Sequence, residues 1–112
     1  MTMTKTAAIA TARRYCAIWG RGTSWTVSGP YYPHRPTGPT TEHQCSSYAR
    51  AVAIRTVWRA RIALALMLEP NADVANADVD YAVRCAIDEA MHDTHGPRTL
   101  PALVNIGLAA RT

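Results

Sequence analysis

Phenylalanine is absent from this chain, so its core volume has to come from three Trp, five Tyr and the aliphatic residues, with a heavy share of alanine. Cysteine is scarce too. Cys16, Cys45 and Cys85 are odd in number and widely spaced, which argues against a disulfide scaffold, and no Cys-x-x-Cys pair suggests a zinc or redox site. Buried free thiols in a reducing compartment are the simple expectation. No long hydrophobic run occurs: the longest, IALALML (Ile62 to Leu68), is far too short to span a bilayer. The start, MTMTKTAAIATARRY, lacks the apolar centre of a secretory signal and ends on Arg13 and Arg14. The expectation is a cytoplasmic protein with no membrane segment. Acids are nearly missing from one half. Residues 1–61 hold nine Lys/Arg against Glu42 alone, a balance of +8, whereas residues 62–112 hold three against seven, a balance of −4. The first part therefore suits an acidic protein, a nucleic acid or the acidic part of a second copy.

What is present fits one small domain. A chain of 112 residues with 48% apolar and 18% charged content can bury a real but modest core. A homodimer that shares burial would relieve that limit. Residues 1–12 are small and threonine-rich and read as a flexible arm, leaving residues 13–112 as a single domain. In YCAIWGRGTSWTVS, Tyr15 to Ser28, Tyr15, Ala17 and Trp19 alternate on one face, and Thr23, Trp25 and Val27 on another. The intervening Gly20-Arg21-Gly22 suits a tight turn, so the stretch reads as a β-hairpin. Trp19 and Trp25 are expected to pack across the strands against a long helix, with Arg21 exposed at the turn.

The segment GPYYPHRPTGPT, residues 29–40, has four prolines and two glycines and reads as an irregular connection. Thr41 and Gln44 have the spacing of a capping box. From Glu42 to about Leu68 the chain lacks Gly and Pro and reads as one long helix, ended by Pro70. Beyond it, Val79, Val83, Ala86, Ile87, Ala90 and Met91 form a helical stripe over residues 78–93, although DVDYAVRC also alternates well enough for a strand. Thr99, Pro101, Leu103, Val104 and Leu108 suit a last short helix, with VNIGL as a strand alternative. The fold class is thus α+β: an N-terminal hairpin on a long central helix, one or two shorter helices, and a third strand near 79–85 as the variant.

Over residues 15–80 this pattern resembles the amino-terminal domain of HicB-type antitoxins. Tyr15, Trp19, Trp25 and Val27 match that family's hairpin. Ala49, Ala51, Ala60, Ile62, Ala63, Leu64 and Leu66 match the helix behind its sheet. The family's Glu-Ala pair early in the helix stands here as Arg50-Ala51, and the proline-rich loop is longer than usual. The resemblance implies a later strand at DVDYAVRC and an antitoxin-like role, neutralising an RNA-cleaving partner. It does not extend to a DNA-binding segment after Leu100.

The residues offer little chemistry. His43 and Cys45 are near neighbours, as are His92 and His95, but each place supplies only two ligands where zinc needs three or four. No activated nucleophile, carboxylate pair, phosphate loop or dinucleotide fingerprint is evident. No catalytic residue, metal or cofactor is therefore assigned, and a small metal-dependent enzyme ranks third among the functions. Binding comes first. Tyr31 and Tyr32 in the loop, with Leu64, Met67 and Leu68 at the apolar helix end, are the candidate contacts for a protein partner or a homodimer. Nucleic acid is the alternative, through Arg13, Arg14, Arg21, Arg35, Arg55 and Arg59 on phosphates and Trp19, Trp25 or Tyr31 on bases.

Overall fold

The computed structural model describes residues 3–68, 81–92 and 99–111. It contains helix α1 (Lys5–Ala12), strands β1 (Ala17–Arg21), β2 (Ser24–Pro30) and β3 (Thr40–Cys45), the long helix α2 (Tyr48–Met67), and helices α3 (Tyr81–His92) and α4 (Leu100–Arg111). The fold is α+β, with a small sheet packed on the long helix and shorter helices after it. The sheet is antiparallel in the order β1-β2-β3.

The hairpin is tighter than the glycine spacing suggests. Arg21 pairs with Ser24, so Gly22 and Thr23 alone make the turn. Gly22 sits at φ 61°, and the Trp25 indole N–H donates to its carbonyl at 2.9 Å. Gly20 has φ 139°, and any side chain there would strike the Ser24 carbonyl oxygen.

Four expectations need correction. Residues 5–12 are not a flexible arm: Thr4 caps α1 through Ala7 N–H, and Ala8, Ile9 and Ala12 are buried in the core. An Ala-rich helix pays little side-chain entropy and can lie close against α2. The long helix does not begin at Glu42. Residues 40–45 complete the sheet instead, because β2 can pair its outer edge with Thr40 to Cys45 from Pro30↔Thr40 to Trp25↔Cys45. Ser47 then caps α2, accepting the Arg50 N–H at 3.1 Å, so the Thr41–Gln44 box is not used. Tyr81–His92 is helical, so DVDYAVRC is not the third strand over the residues described; Asp78, Val79 and Asp80 lie outside them. Thr99 caps α4 as its position suggests, which excludes the strand alternative for VNIGL.

The fourth correction concerns the tryptophans. The register places Trp19 opposite Thr26 and Trp25 opposite Gly20, so the two rings are not a cross-strand pair. Side chains alternate across a strand. Trp25, with Val27 and Gly29, faces α2, and its ring lies 5.0 Å from that of Tyr48 at the helix start. Trp19 stays 47% exposed on the opposite face.

The core forms where α1, α3 and α4 meet the second half of α2. Ala60, Ile62, Ala63 and Leu64 of α2 are buried with Ala8 and Ala12 of α1, Ile87 of α3, and Leu103 and Val104 of α4. Met3 N–H donates to the Leu66 carbonyl at 3.0 Å, and the Lys5 ammonium donates to Asn105 Oδ1, tying α1 to both neighbours. The sheet is seated at a second contact. A methyl added to Gly29 would lie 2.8 Å from the Trp58 ring and 2.9 Å from Cys16 Sγ, so β2 approaches α2 as closely as a bare backbone permits. Gly29→Ala is accordingly expected to lower stability by about 1–3 kcal/mol, the usual scale of overpacking. Urea unfolding followed by tryptophan fluorescence would show it, and an unchanged midpoint would refute the tight seat.

Candidate binding surfaces

α2 places two faces of the protein. Its inner side carries the core, and its side toward β3 and α3 floors an open groove of about 630 Å3. Ala53, Ile54, Val57 and Trp58 form the apolar base, with Met91 of α3 facing them. Arg50, Arg61, Arg84, His43, His92 and Asp88 are the charged or titratable residues along it among the described residues. No acid occupies the first turn of α2, so the positive end of the helix adds to Arg50 there.

Trp58 and Arg61 also line a second, smaller hollow of about 180 Å3, formed with Pro30, Tyr31, Pro33, Thr41 and Ile62. Trp58 and Arg61 thus lie between the two hollows, the smaller on the side of the Pro/Tyr connection and the larger on the side of α3. That connection is fastened by its own backbone: Tyr31 N–H donates to Pro39 O at 2.8 Å, Arg35 N–H to Tyr32 O at 3.0 Å, and Gly38 N–H to Arg35 O at 2.9 Å. Tyr31 and Tyr32 meet edge to face at 4.8 Å, and Tyr32 continues to His34 at 5.8 Å. Pro33 is buried beneath, while Tyr31 remains 58% exposed. The loop is therefore a fixed aromatic ledge at one end of the groove.

The expected protein contacts divide accordingly. Tyr31 lines the groove and Tyr32 braces it. Leu64 is fully buried, and Met67 and Leu68 pack on the same internal cluster. Leu64 is thus core where a partner contact was expected, while Met67 and Leu68 are half-buried at the margin of that cluster. Sequence reading missed Ile54, Trp58 and Arg50 as groove residues. Their pattern was visible as a half-apolar stripe, but the walls come from β3 and α3, which no local spacing reveals.

The expected phosphate contacts also divide. Arg13, Arg14, Arg21 and Arg35 are exposed. Arg59 is engaged: its Nε–H donates to the Tyr15 carbonyl at 2.9 Å and its Nη2 group to the Cys16 carbonyl at 3.3 Å. Those carbonyls need a donor because Cys16, at φ 71°, turns the chain from α1 into β1 outside any regular ladder. Burial lowers the Arg59 pKa, as do Arg55 and then Arg13, while Cys16 acts the other way. Burial raises the Cys16 thiol to about 11 despite Arg59 and Arg55. Among the described residues, no three His, Cys, Asp or Glu side chains gather as metal ligands, and no helix is long and apolar enough to cross a membrane.

Two outcomes follow from this junction. Arg59→Ala should cost roughly 1.5–3 kcal/mol, the scale of hydrogen bonds to a charged donor, and clearly more than Arg55→Ala; equal urea midpoints would refute the structural role of Arg59. Near pH 8 iodoacetamide should modify exposed Cys85 first and Cys16 only after unfolding, since a thiol with a pKa of about 11 is almost wholly protonated there. Peptide mapping by mass spectrometry reads the order, and early labelling of Cys16 would contradict its burial.

No family model, curated protein or solved structure matches the chain.

Proposed function

We propose that this protein is a non-enzymatic binding module that holds an acidic, apolar-anchored segment of another protein in the groove along α2. The observation that carries this reading is the lining of the larger hollow, an apolar floor with arginine beside it. Ala53, Ile54, Val57 and Trp58 form that floor opposite Met91, with Arg50 exposed beside it, and Tyr31 stands at the neighbouring hollow that shares Trp58. A tryptophan in a partly desolvated hollow beside arginine is the composition of an interface hot spot. The cationic sides select an acidic partner and speed its encounter, while the apolar floor holds it. The groove suits a short helix or extended segment presenting one apolar stripe. Blocking another protein by occupying such a segment is an inhibitory or regulatory role, and the antitoxin-like resemblance belongs to that class.

Selection of a displayed random-peptide library tests this directly. Enriched peptides should carry Asp or Glu around apolar anchors spaced for one helix face. Their binding should fall at least tenfold in Arg50→Glu and Ile54→Asp, two substitutions outside the buried core, with the circular dichroism spectrum unchanged. Enrichment of no sequence class, or peptides that bind both folded variants as tightly as the parent, would overturn the reading.

A further inference from the structure

The sheet has a second face, turned away from α2. Along β1 it shows Ala17, Trp19 and Arg21, all exposed. Across the ladder, Trp19 stands in one row with Thr26 and Gln44, and Arg21 stands beside Ser24. Hydroxyl and amide groups therefore surround a single large aromatic ring, 47% of which is open to solvent. Burial in the core does not explain that ring, since Trp25 and Val27 fill the other side of the sheet.

An independent feature lies at the edge of the same strand. The turn into β1 is gripped by Arg59, and Arg13 and Arg55 are near enough to act on its charge. Among the described residues, no carboxylate figures in that electrostatic set. Arg14, next to Arg13, is exposed as well. The exposed Arg13 and Arg14 beside the Arg59 grip thus gather positive charge at the start of β1, which suits a polyanion.

We infer that the β1 side of the sheet is a binding surface for single-stranded nucleic acid, with an unpaired base stacked on Trp19 and the phosphodiester chain led by Arg21 toward Arg13, Arg14 and Arg55. The chemistry picks this occupant over others. A lone exposed indole on a flat sheet offers a π-face, which any unpaired base can cover and which the stacked interior of a duplex cannot reach. Ser24, Thr26 and Gln44 supply both donors and acceptors to base edges. Glu42, farther along the same face, sets a limit to the phosphate path on the β3 side. The surface is separate from the groove, because none of the residues named for it lines either hollow.

Fluorescence anisotropy with labelled uridine-rich RNA, thymidine-rich DNA and a DNA duplex decides the matter. Both single strands should bind more tightly than the duplex, and raising salt from about 50 mM to about 200 mM should weaken binding steeply. Trp19→Ala should weaken single-strand binding roughly tenfold, the effect of losing one stacked base, and Trp19→Phe should restore most of it. Arg13→Ala with Arg55→Ala should weaken every nucleic acid and flatten the salt dependence. The groove variants Arg50→Glu and Ile54→Asp should leave the Trp19 effect intact, which separates failure of this site from failure of the groove. No binding at low salt, or single-strand and duplex binding equal and indifferent to Trp19→Ala, would overturn the inference. A preference for RNA over DNA would assign the 2′-hydroxyl a place among the contacts.

Discussion

The fold depends on how closely the sheet can lie on α2, and that distance is set at Gly29. The backbone there meets the ring of Trp58 and the thiol of Cys16 with no room for a methyl group. Three consequences share this contact. The Trp58 ring is held at the seam where it lines both hollows of the groove. Cys16 is confined in a left-handed turn and shielded from water, which keeps its thiol protonated. Arg59, one residue beyond Trp58, comes within reach of the two carbonyls exposed by that turn. One close approach thus positions the groove, silences a nucleophile and anchors the start of β1.

A similar economy governs the other end of the molecule. With no Phe to fill space, the core is tightened by bringing backbones together. Ala8 and Ala12 of α1 and Ala60 and Ala63 of α2 are all fully buried, and alanine lets helices approach closely with little side-chain entropy to lose. The remaining volume comes from Ile62, Leu64, Ile87, Leu103 and Val104. Most of the apolar run at the end of α2, Ile62 to Ala65, therefore serves cohesion.

Periodicity made the α+β class, the hairpin, the long helix and the cap of α4 legible, because each is a local pattern. β3 escaped because nothing local marks it: TTEHQC is polar, exposed at most positions and joined to a good helix, and only its partner β2 makes it a strand. α1 escaped because Lys5 to Ala12 carries almost no amphipathic pattern; it is held by the neighbours that bury Ala8 and Ile9. Trp19 was misplaced by a shift in the turn. Making Gly22-Thr23 the two-residue turn pairs Gly20 with Trp25 and sends Trp19 to the other face. Arg59 read as surface charge because a carbonyl acceptor 44 residues away leaves no trace in sequence spacing.

The two faces of the sheet therefore ask for different partners on physical grounds. Behind it, the groove combines a broad apolar floor with cations at its sides, so most of the stabilisation must come from desolvation and charge must supply selectivity. In front, apolar surface is limited largely to one indole among hydroxyls, and affinity has to come from charge and stacking. The first arrangement favours a polypeptide with its own apolar stripe. The second favours a chain of regularly spaced charges and flat rings. Both draw on the same excess of arginine in the first 61 residues, yet α2 and the sheet keep them on separate surfaces, so occupation of one need not obstruct the other. The two proposed sites would in this way share one core, since the sheet and α2 that carry them are packed together.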